Sequence, residues 1–495
     1  MRLISRTPSA CIAWALASVT LTGCESCARG PGSPGMAPRE QSGPLASSAE
    51  PNPKLPDPCR GFPLPEDQHF VAKGLCARLV AQKQGELRQL TFAPNGDLFG
   101  VTVQGAIRRY RDIDGDGAFA GPAEIVEWAN VGGKNGNNCH IDGGFLYAGS
   151  PDGVKRWAYA PDKDQGGPGQ DVVVGQPGGG NHPYHPVHVY DGWLYDDSGS
   201  AENTMRPMPA DYDTNRSVLK RFDLSKLVPG KPFQWNEGEP FVVGVRNVTG
   251  FTKDAAGRMI GVVSGIDDLR YGAEDVHADN PGEDVVLLEK GQAHGYPFCF
   301  TASRVVVGGQ VVPPGTRLHA DAASQNPLVS VTRSSKDDAW CKAHTTPPLT
   351  FLQAHSSPLG IAFLDRDDGV LPSRWKGGAF VALHGSWDRN PSTGHKVVWL
   401  PFDASGRTVM PVSTAEATTF PYEVVFGGGN VNGPRDGAWG WRAGDRGEAQ
   451  VRPVGVAISP LDGALYVSSD NGTVPLKGPS STADGAIYRI GRQRN

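Results

Sequence analysis

One pattern recurs along the chain and limits what it can fold into. An apolar run is followed by a glycine-containing turn and then by a second apolar run carrying an aromatic residue. It reads "LTFAPNGDLFGVT" from Leu90, "HIDGGFLYAGS" from His140 and "VHVYDGWLYDDSG" from Val187. It returns as "FTKDAAGRMIGVVSG" from Phe251 and "VAISPLDGALYVSSD" from Val456. Alternating apolar residues have the period of a half-buried strand, and an Asn-Gly or Asp-Gly pair between two such runs marks a hairpin. No run of helical length carries a 3.6-residue apolar period. Hairpins spaced by roughly 50 residues fit four-stranded units repeated around an axis. The expectation is therefore an all-β, six-bladed β-propeller over residues 58–495, with a β-sandwich array as the other arrangement. Long Gly/Asp/Asn-rich insertions at 268–282, 303–346 and 427–450 would cluster on the faces of such a fold, where ligands bind.

The composition agrees. With 65 Gly and 42 Pro among 495 residues, the chain is rich in turns. A net charge of −5 predicts neither nucleic-acid binding nor a polybasic membrane patch. The first residues stand apart. "MRLISR" is a basic lead-in, and "ACIAWALASVTL" is an apolar run too short to span a bilayer. Leu21-Thr22-Gly23-Cys24 then resembles a bacterial lipobox, so residues 1–23 read as a lipoprotein signal peptide and Cys24 as the lipidated residue. Glu25 after the cysteine points by the same resemblance to the outer membrane, facing the periplasm or the exterior. Residues 24–57 are rich in Pro, Gly, Ser and Ala and read as a flexible tether. Export to an oxidising compartment makes disulfides plausible, and sequence proximity suggests Cys59–Cys76 and Cys299–Cys341, leaving Cys139 over. No Cys/His spacing suits zinc.

Several stretches could carry chemistry. "NHPYHPVHVYDG" holds His182, His185 and His188, and Pro183 and Pro186 forbid a helix there. His182, beside Gly-rich backbone, is a candidate general base. A polar loop with one packed His, or a metal cluster, remains open. "GVRNVTGF" sets Arg246 and Asn247 at a strand start, and an Arg there can grip a carboxylate or quinone oxygens bidentately. "RDIDGDGAF" spaces Asp112, Asp114 and Asp116 like the first half of a calcium loop, but Ala123 stands where its glutamate would be. An acidic turn explains it as well. "RWKGGAFVALHGSWDRNPSTGHKVVWLPFD" delivers His384, Trp387 and Arg389 at a strand end.

Taken in order, "NHPYHPVHVYDGWLYDDSGSAEN", "VRNVTGF", "EDVVLLEKGQAHGYPFC", "SSPLGIAF", the "HGSWDRNPSTGHK" stretch and "RPVGVAISPLDGALYVSSD" resemble the PQQ-dependent sugar dehydrogenases. The sorbosone and pyranose dehydrogenase branch is the nearest in pattern, and the resemblance runs over about residues 75 to 491. It implies a β-propeller of the soluble quinoprotein glucose dehydrogenase type, with PQQ and Ca²⁺ at its mouth. It implies His182 as catalytic base, with His384 and Arg88 lining the site. Arg246, Asn247 and Arg452 would bind the cofactor, and backbone carbonyls of Gly265 and Ile266 would hold the metal. The implied partners are a small sugar, an electron acceptor (a cytochrome or a quinone) and the membrane through the lipid, with no nucleic acid. Two other readings stay open: a non-catalytic propeller lipoprotein that binds carbohydrate or protein, and a calcium-dependent lactonase-type hydrolase. The departures at Ser264, where soluble glucose enzymes carry Gln, and Pro186, where Arg is usual, favour the non-catalytic one.

The lipobox is directly testable. Mass spectrometry of the envelope-fractionated protein should find Cys24 as the first residue, carrying lipid. A mature chain that retains residues before Cys24 excludes it.

Overall fold

The computed structural model describes residues 57–492 except 58, 65–68, 207, 324–330, 387, 390–392, 429–450 and 471–484. Cys24, the leader and nearly all of the tether lie outside the described residues, as do Trp387 and most of the 427–450 insertion. All five repeated cassettes form antiparallel hairpins. The protein is all-β apart from short 3₁₀ turns and one seven-residue α-helix, Asp338–His344, among the described residues. No helix among them is long and apolar enough to cross a membrane.

Six sheets of four or five strands follow one another along the described chain. The first opens with Leu87–Phe92, the second with Cys139–Asp142 and the third with Val187–Tyr190. The fourth opens with Val248–Lys253, the fifth with Pro358–Phe363 and the sixth with Pro453–Ile458. Each interface between neighbours is filled by its own apolar cluster. Trp128 and Trp157 lie between the first and second sheets, and Trp375, Phe380, Phe426 and Tyr488 between the fifth and sixth. Leu90, Leu98 and Tyr110 of the first sheet pack on Ala457, Tyr466 and Ile487 of the sixth, so the last sheet returns to the first.

The two ends of the described chain meet in the sixth sheet. Its strands Pro453–Ile458, Leu465–Ser469 and Ala486–Gly491 are completed by Cys76–Ala81 and Phe62–Pro63 from the other end. His69–Val71 joins the fifth sheet in the same way, on Glu423–Gly428. Both disulfides expected from sequence proximity form, and Cys139 is free and buried. Cys59–Cys76 fastens this clasp, whereas Cys299–Cys341 ties the helix Asp338–His344 to the insertion that carries it.

Opening strands of neighbouring sheets touch backbone to backbone where glycine allows it. A Cβ on Gly250 would stand 2.5 Å from the Leu359 carbonyl oxygen, and one on Gly360 2.5 Å from that of Val454. One on Gly455 would stand 2.7 Å from Gln89 Cα and Leu90 N. Beside these contacts the pairing register shifts, between Leu87 and Leu90, Val248 and Gly250, Pro358 and Gly360, and Pro453 and Val456. A bulge turns a side chain out of its normal alternation. Here the displaced residues include Arg88, Thr249 and Leu359, and all three line one cavity.

Gly455→Ala should destabilise the protein by about 1–3 kcal/mol, the usual cost of overpacking a dense interior, seen as a lower urea midpoint at unchanged slope. Gly178→Ala, whose Cβ would meet nothing nearer than the Pro151 carbonyl oxygen at 3.5 Å, is the control and should leave the midpoint in place.

Candidate functional site

The cavity has a volume of about 260 Å³, close to the lower end of small-molecule sites. His182, Arg88, His384, Arg246, Asn247 and Gly265 all line it, although they come from loops and strand ends far apart in the chain. Ile266 does not. Its side chain is buried in the apolar cluster of the neighbouring insertion, a placement that leaves only its backbone to serve a ligand. Arg452 is not among the lining residues either. It stands behind His384, with Nη2 2.9 Å from the ring Nδ1.

The two histidines are held differently. His182 Nδ1 lies 2.9 Å from the Ser200 carbonyl oxygen. Donating there leaves the lone pair on Nε2. Burial, and then the charge of Arg246, hold this imidazole neutral, with its pKa lowered to about 3. His384 is committed at both nitrogens. Nε2 donates to Asp470, at 2.9 Å from Oδ1 and 3.1 Å from Oδ2, while Nδ1 accepts from Arg452. Burial and the Arg452 charge lower its pKa to about 4. Asp470 also takes Arg88 Nη1 at 3.1 Å. Burial alone would raise its carboxyl, but His384, Arg88 and Arg452 together hold it far below the usual carboxylate range. Arg88 lies over the Tyr184 ring, 4.4 Å from its centroid.

On another wall, Arg246 Nη2 bonds Asp267 Oδ2 at 2.8 Å and Asn203 Oδ1 at 2.9 Å. Asn203 in turn takes the Asp267 N–H at 2.8 Å and donates to the Asp267 carbonyl at 2.7 Å. Burial would raise Asp267, yet the charges and hydrogen bonds of Arg246 and His355 together outweigh it and lower its pKa to about 2. His355 Nε2 meets the His277 carbonyl oxygen at 2.6 Å, and Nδ1 lies 3.5 Å from Asp267 Oδ1. Burial would lower this imidazole, but the hydrogen bond and charge of Asp267, with the charge of Glu283, raise it. Glu283 is buried, accepts from Gly265 N at 2.8 Å, and is pushed by burial to about 7. Asp268, His355 and Ser357 hold φ of 53°, 60° and 52°, a region non-glycine residues enter only when surroundings over-determine it.

Sequence reasoning missed Asp267, Glu283, His355 and Asp470. The only signal for them is position. Asp267 follows the Gly265-Ile266 pair, His355 precedes "SSPLGIAF", and Asp470 ends "LYVSSD". The other histidines of the "NHPYHPVHVYDG" stretch do not join the site. His185 is buried between Asp196 Oδ1 at 2.6 Å and the Ser150 carbonyl at 3.1 Å. His188 packs with His140, Tyr190 and Phe251, so the three histidines form no shared metal cluster. Asp112, Asp114 and Asp116 cap backbone N–H groups of their own turn, as an acidic turn does.

What does this arrangement fit chemically? Guanidinium groups of Arg88 and Arg246 face the cavity, with Arg452 behind, which suits an anionic ligand. Asn247 is buried and its Oδ1 has no partner, so a donor is wanted there. A Cβ on Gly199 would fall 2.7 Å from His182 Cβ and 2.8 Å from Asn247 Oδ1, so the backbone must come this close to the pair. A flat, polycarboxylated quinone with a hard cation matches this donor set.

Burial of a neutral histidine has a thermodynamic consequence. His384 keeps its low pKa only in the folded state, so between about pH 6.5 and 4 the unfolded chain binds the extra proton. Its contribution is present above pH 6.5 and is lost as pH falls through 4. His384→Gln should flatten the stability–pH curve over that window by about 3 kcal/mol, measured by denaturant titration at pH 7, 5.5 and 4.

Comparison with known proteins gives the context of this site. The family described as TrAA12-like matches residues 69–474. A pyrroloquinoline quinone-dependent pyranose dehydrogenase of Coprinopsis cinerea is 27% identical over 439 residues, covering 83% of this chain and 54% of its own. The chain thus spans about half the length of that relative. A pyrroloquinoline quinone-dependent sugar dehydrogenase of Hypocrea jecorina (strain QM6a) is 25% identical over 419 residues, covering 81% of this chain and 87% of its own. Among solved structures, the holo form of the pyranose dehydrogenase PQQ domain from Coprinopsis cinerea superposes with a TM-score of 0.69 at 25% identity, covering 88% of this chain and 99% of that one. The calcium structure of the Trichoderma reesei family AA12 enzyme gives 0.67 at 21% identity, with the same coverages. With the match extending over most of the described residues, the chain belongs to the TrAA12-like family.

Proposed function

We propose that the protein is a quinoprotein sugar dehydrogenase that uses PQQ and calcium to oxidise a pyranose or related aldose. The observation that carries this reading is the state of His182. Its Nδ1 is engaged by the Ser200 carbonyl, its Nε2 lone pair is left over, and it stands in one cavity with Arg88, Arg246 and the unpartnered Asn247 Oδ1. The relatives named for PQQ-dependent sugar oxidation support it. We also take the six sheets as the blades of a six-bladed propeller with this cavity at its mouth, and the exported, lipid-anchored location in the cell envelope as part of the same proposal.

PQQ supplies the two-electron acceptor when bound, and calcium supplies Lewis acidity. The residues that would hold the cofactor are Arg246, Asn247 and Arg88, and the carbonyls of Gly265 and Ile266 would hold the cation. The chain itself does the proton work. With Nδ1–H fixed on Ser200, a proton from the sugar C1 hydroxyl can arrive only at Nε2 of His182. Burial, and after it Arg246, depress that basicity, and a further carboxylate beside Arg246 would offset the second of these. His384 has no nitrogen to spare, since Asp470 and Arg452 occupy both. It therefore serves as a rigid polar wall and not as the base. Asn203 and Asp267 keep Arg246 aimed.

Added to purified apoprotein, PQQ and Ca²⁺ should give a shifted quinone absorbance and dye reduction with an aldose. An unchanged spectrum sinks the reading and leaves the non-catalytic binding protein. Within it, His182→Ala should lower kcat by roughly 10²–10⁴-fold, the range for a lost general base, with PQQ still bound. Arg246→Ala should instead raise the PQQ concentration needed for half-saturation. Wild-type turnover in His182→Ala would remove the base assignment.

A further inference from the structure

Asp267, His355 and Asp388 converge from three loops. Asp267 follows the strand Met259–Val263, His355 precedes Pro358–Phe363, and Asp388 follows Ala379–Leu383. Their side chains are 15%, 5% and 11% exposed. Asp267 Oδ1 is 3.5 Å and Asp388 Oδ2 4.0 Å from His355 Nδ1, and one ligand atom from each residue lies within 4.8 Å of the other two. We propose that these three side chains form a binding site for a divalent first-row transition cation, such as Zn²⁺ or Mn²⁺, separate in ligand type from the carbonyls of Gly265 and Ile266.

Three features carry this. The first is spacing. Ligand atoms about 2.0–2.2 Å from a shared tetrahedral ion stand about 3.3–3.6 Å apart. The Asp267–His355 gap already matches, and the His355–Asp388 gap needs to close by about half an ångström.

The second is the outer partner of the imidazole. A metal-binding histidine donates its other ring N–H to a carbonyl or carboxylate, which fixes its tautomer and aim. His355 Nε2 does this, at 2.6 Å from the His277 carbonyl oxygen, so Nδ1 is left facing the two carboxylates. The carboxylates are steadied too, Asp267 at its other oxygen and Asp388 at the oxygen that faces His355. Asp388 Oδ2 accepts from Asp268 N at 2.8 Å, and the second oxygen of Asp267 accepts from Arg246. The third is backbone. His355 and Asp268 both sit at positive φ, 60° and 53°, so the chain accepts an unfavourable conformation at the points that aim the ring and support Asp388.

Ligand chemistry selects the ion. Imidazole suits Zn²⁺, Fe²⁺ and their neighbours, while carbonyl oxygens suit hard cations such as Ca²⁺. Two carboxylates and one imidazole lone pair offset a divalent charge, with part of the Asp267 charge shared with Arg246. Binding needs the lone pair of His355 Nδ1, so the metal competes with a proton there. This inference is independent of the dehydrogenase reading, because none of it requires PQQ or a sugar.

Co²⁺ is the probe, since its visible bands report binding without any activity. Chelator-treated protein, returned to buffer with excess Ca²⁺, should take up one Co²⁺ per chain with bands of a low-coordinate nitrogen–oxygen site. Asp388→Asn keeps an oxygen for the Asp268 N–H, and His355→Gln keeps a donor for the His277 carbonyl, so both should fold, as checked by circular dichroism. Each should weaken Co²⁺ by at least about 10-fold, a loss seen even when only outer partners of a metal ligand are removed. Asp114→Asn, in the surface acidic turn, should leave affinity unchanged. Absence of Co²⁺ uptake, uptake equal to wild type in both folded site variants, or stoichiometric displacement of Co²⁺ by Ca²⁺ overturns the proposal.

Discussion

The backbone contact between opening strands governs the rest of this molecule. Gly250, Gly360 and Gly455 let strands of adjacent sheets approach closer than any Cβ would permit. Gln89 adds a polar tie, its Nε2 donating to the Thr249 and Leu359 carbonyls at 2.7 Å each, so strands of three sheets are drawn to one place. Strands packed this tightly cannot all keep regular pairing with their own neighbours. The strain is released as a bulge in each of the four opening strands that start near residues 87, 248, 358 and 453. Those bulges turn Arg88, Thr249 and Leu359 towards the cavity. Close packing and site construction are therefore one event, and a methyl group at a strand glycine would disturb both.

The charge arrangement follows from burial. Two carboxylates at the cavity are matched by cations: Asp470, just behind the wall, by Arg88, with Arg452 reaching it through His384, and Asp267 by Arg246 and His355, whereas Glu283 has no such match and burial raises it. Pairing keeps the first two acids ionised where burial alone would protonate them. It also spends part of the positive charge, so the cavity attracts anions without being a bare cluster of arginines. The same pairing separates the roles of two histidines. His384 is locked between Asp470 and Arg452, and His182 retains a free lone pair because its only engaged nitrogen, Nδ1, donates to the Ser200 carbonyl and to Ser200 Oγ, whose own hydroxyl donates to the Glu202 carbonyl.

Much of the fold was legible beforehand. Period-two alternation and Gly turns marked every hairpin that was named, since these signals act within ten residues. His182, Arg246, Asn247 and His384 were also reachable, because each lies in a quoted motif at a strand end or the adjoining loop, while Arg88 came from the family resemblance alone. Asp267, His355, Asp388 and Asp470 were not. An aspartate at a strand end reads as a solvated turn until its partner is known, and the partners lie up to 382 residues away, as Arg88 and Asp470 do. Arg452 shows the converse. Its position near the site was readable, but only packing put His384 in front of it.

The sequence by itself determined local geometry: where strands run, where they reverse, which residues are apolar enough to face a neighbouring sheet, and which cysteines are near enough to pair. Only the tertiary structure decided which strand ends meet. That depends on each sheet packing on the next, with the sixth returning to the first and residues 76–81 completing it. Backbone periodicity carries no record of such contacts. The protonation state of each histidine was decided there too, because burial and the nearest charge, not residue type, set whether the ring takes a proton.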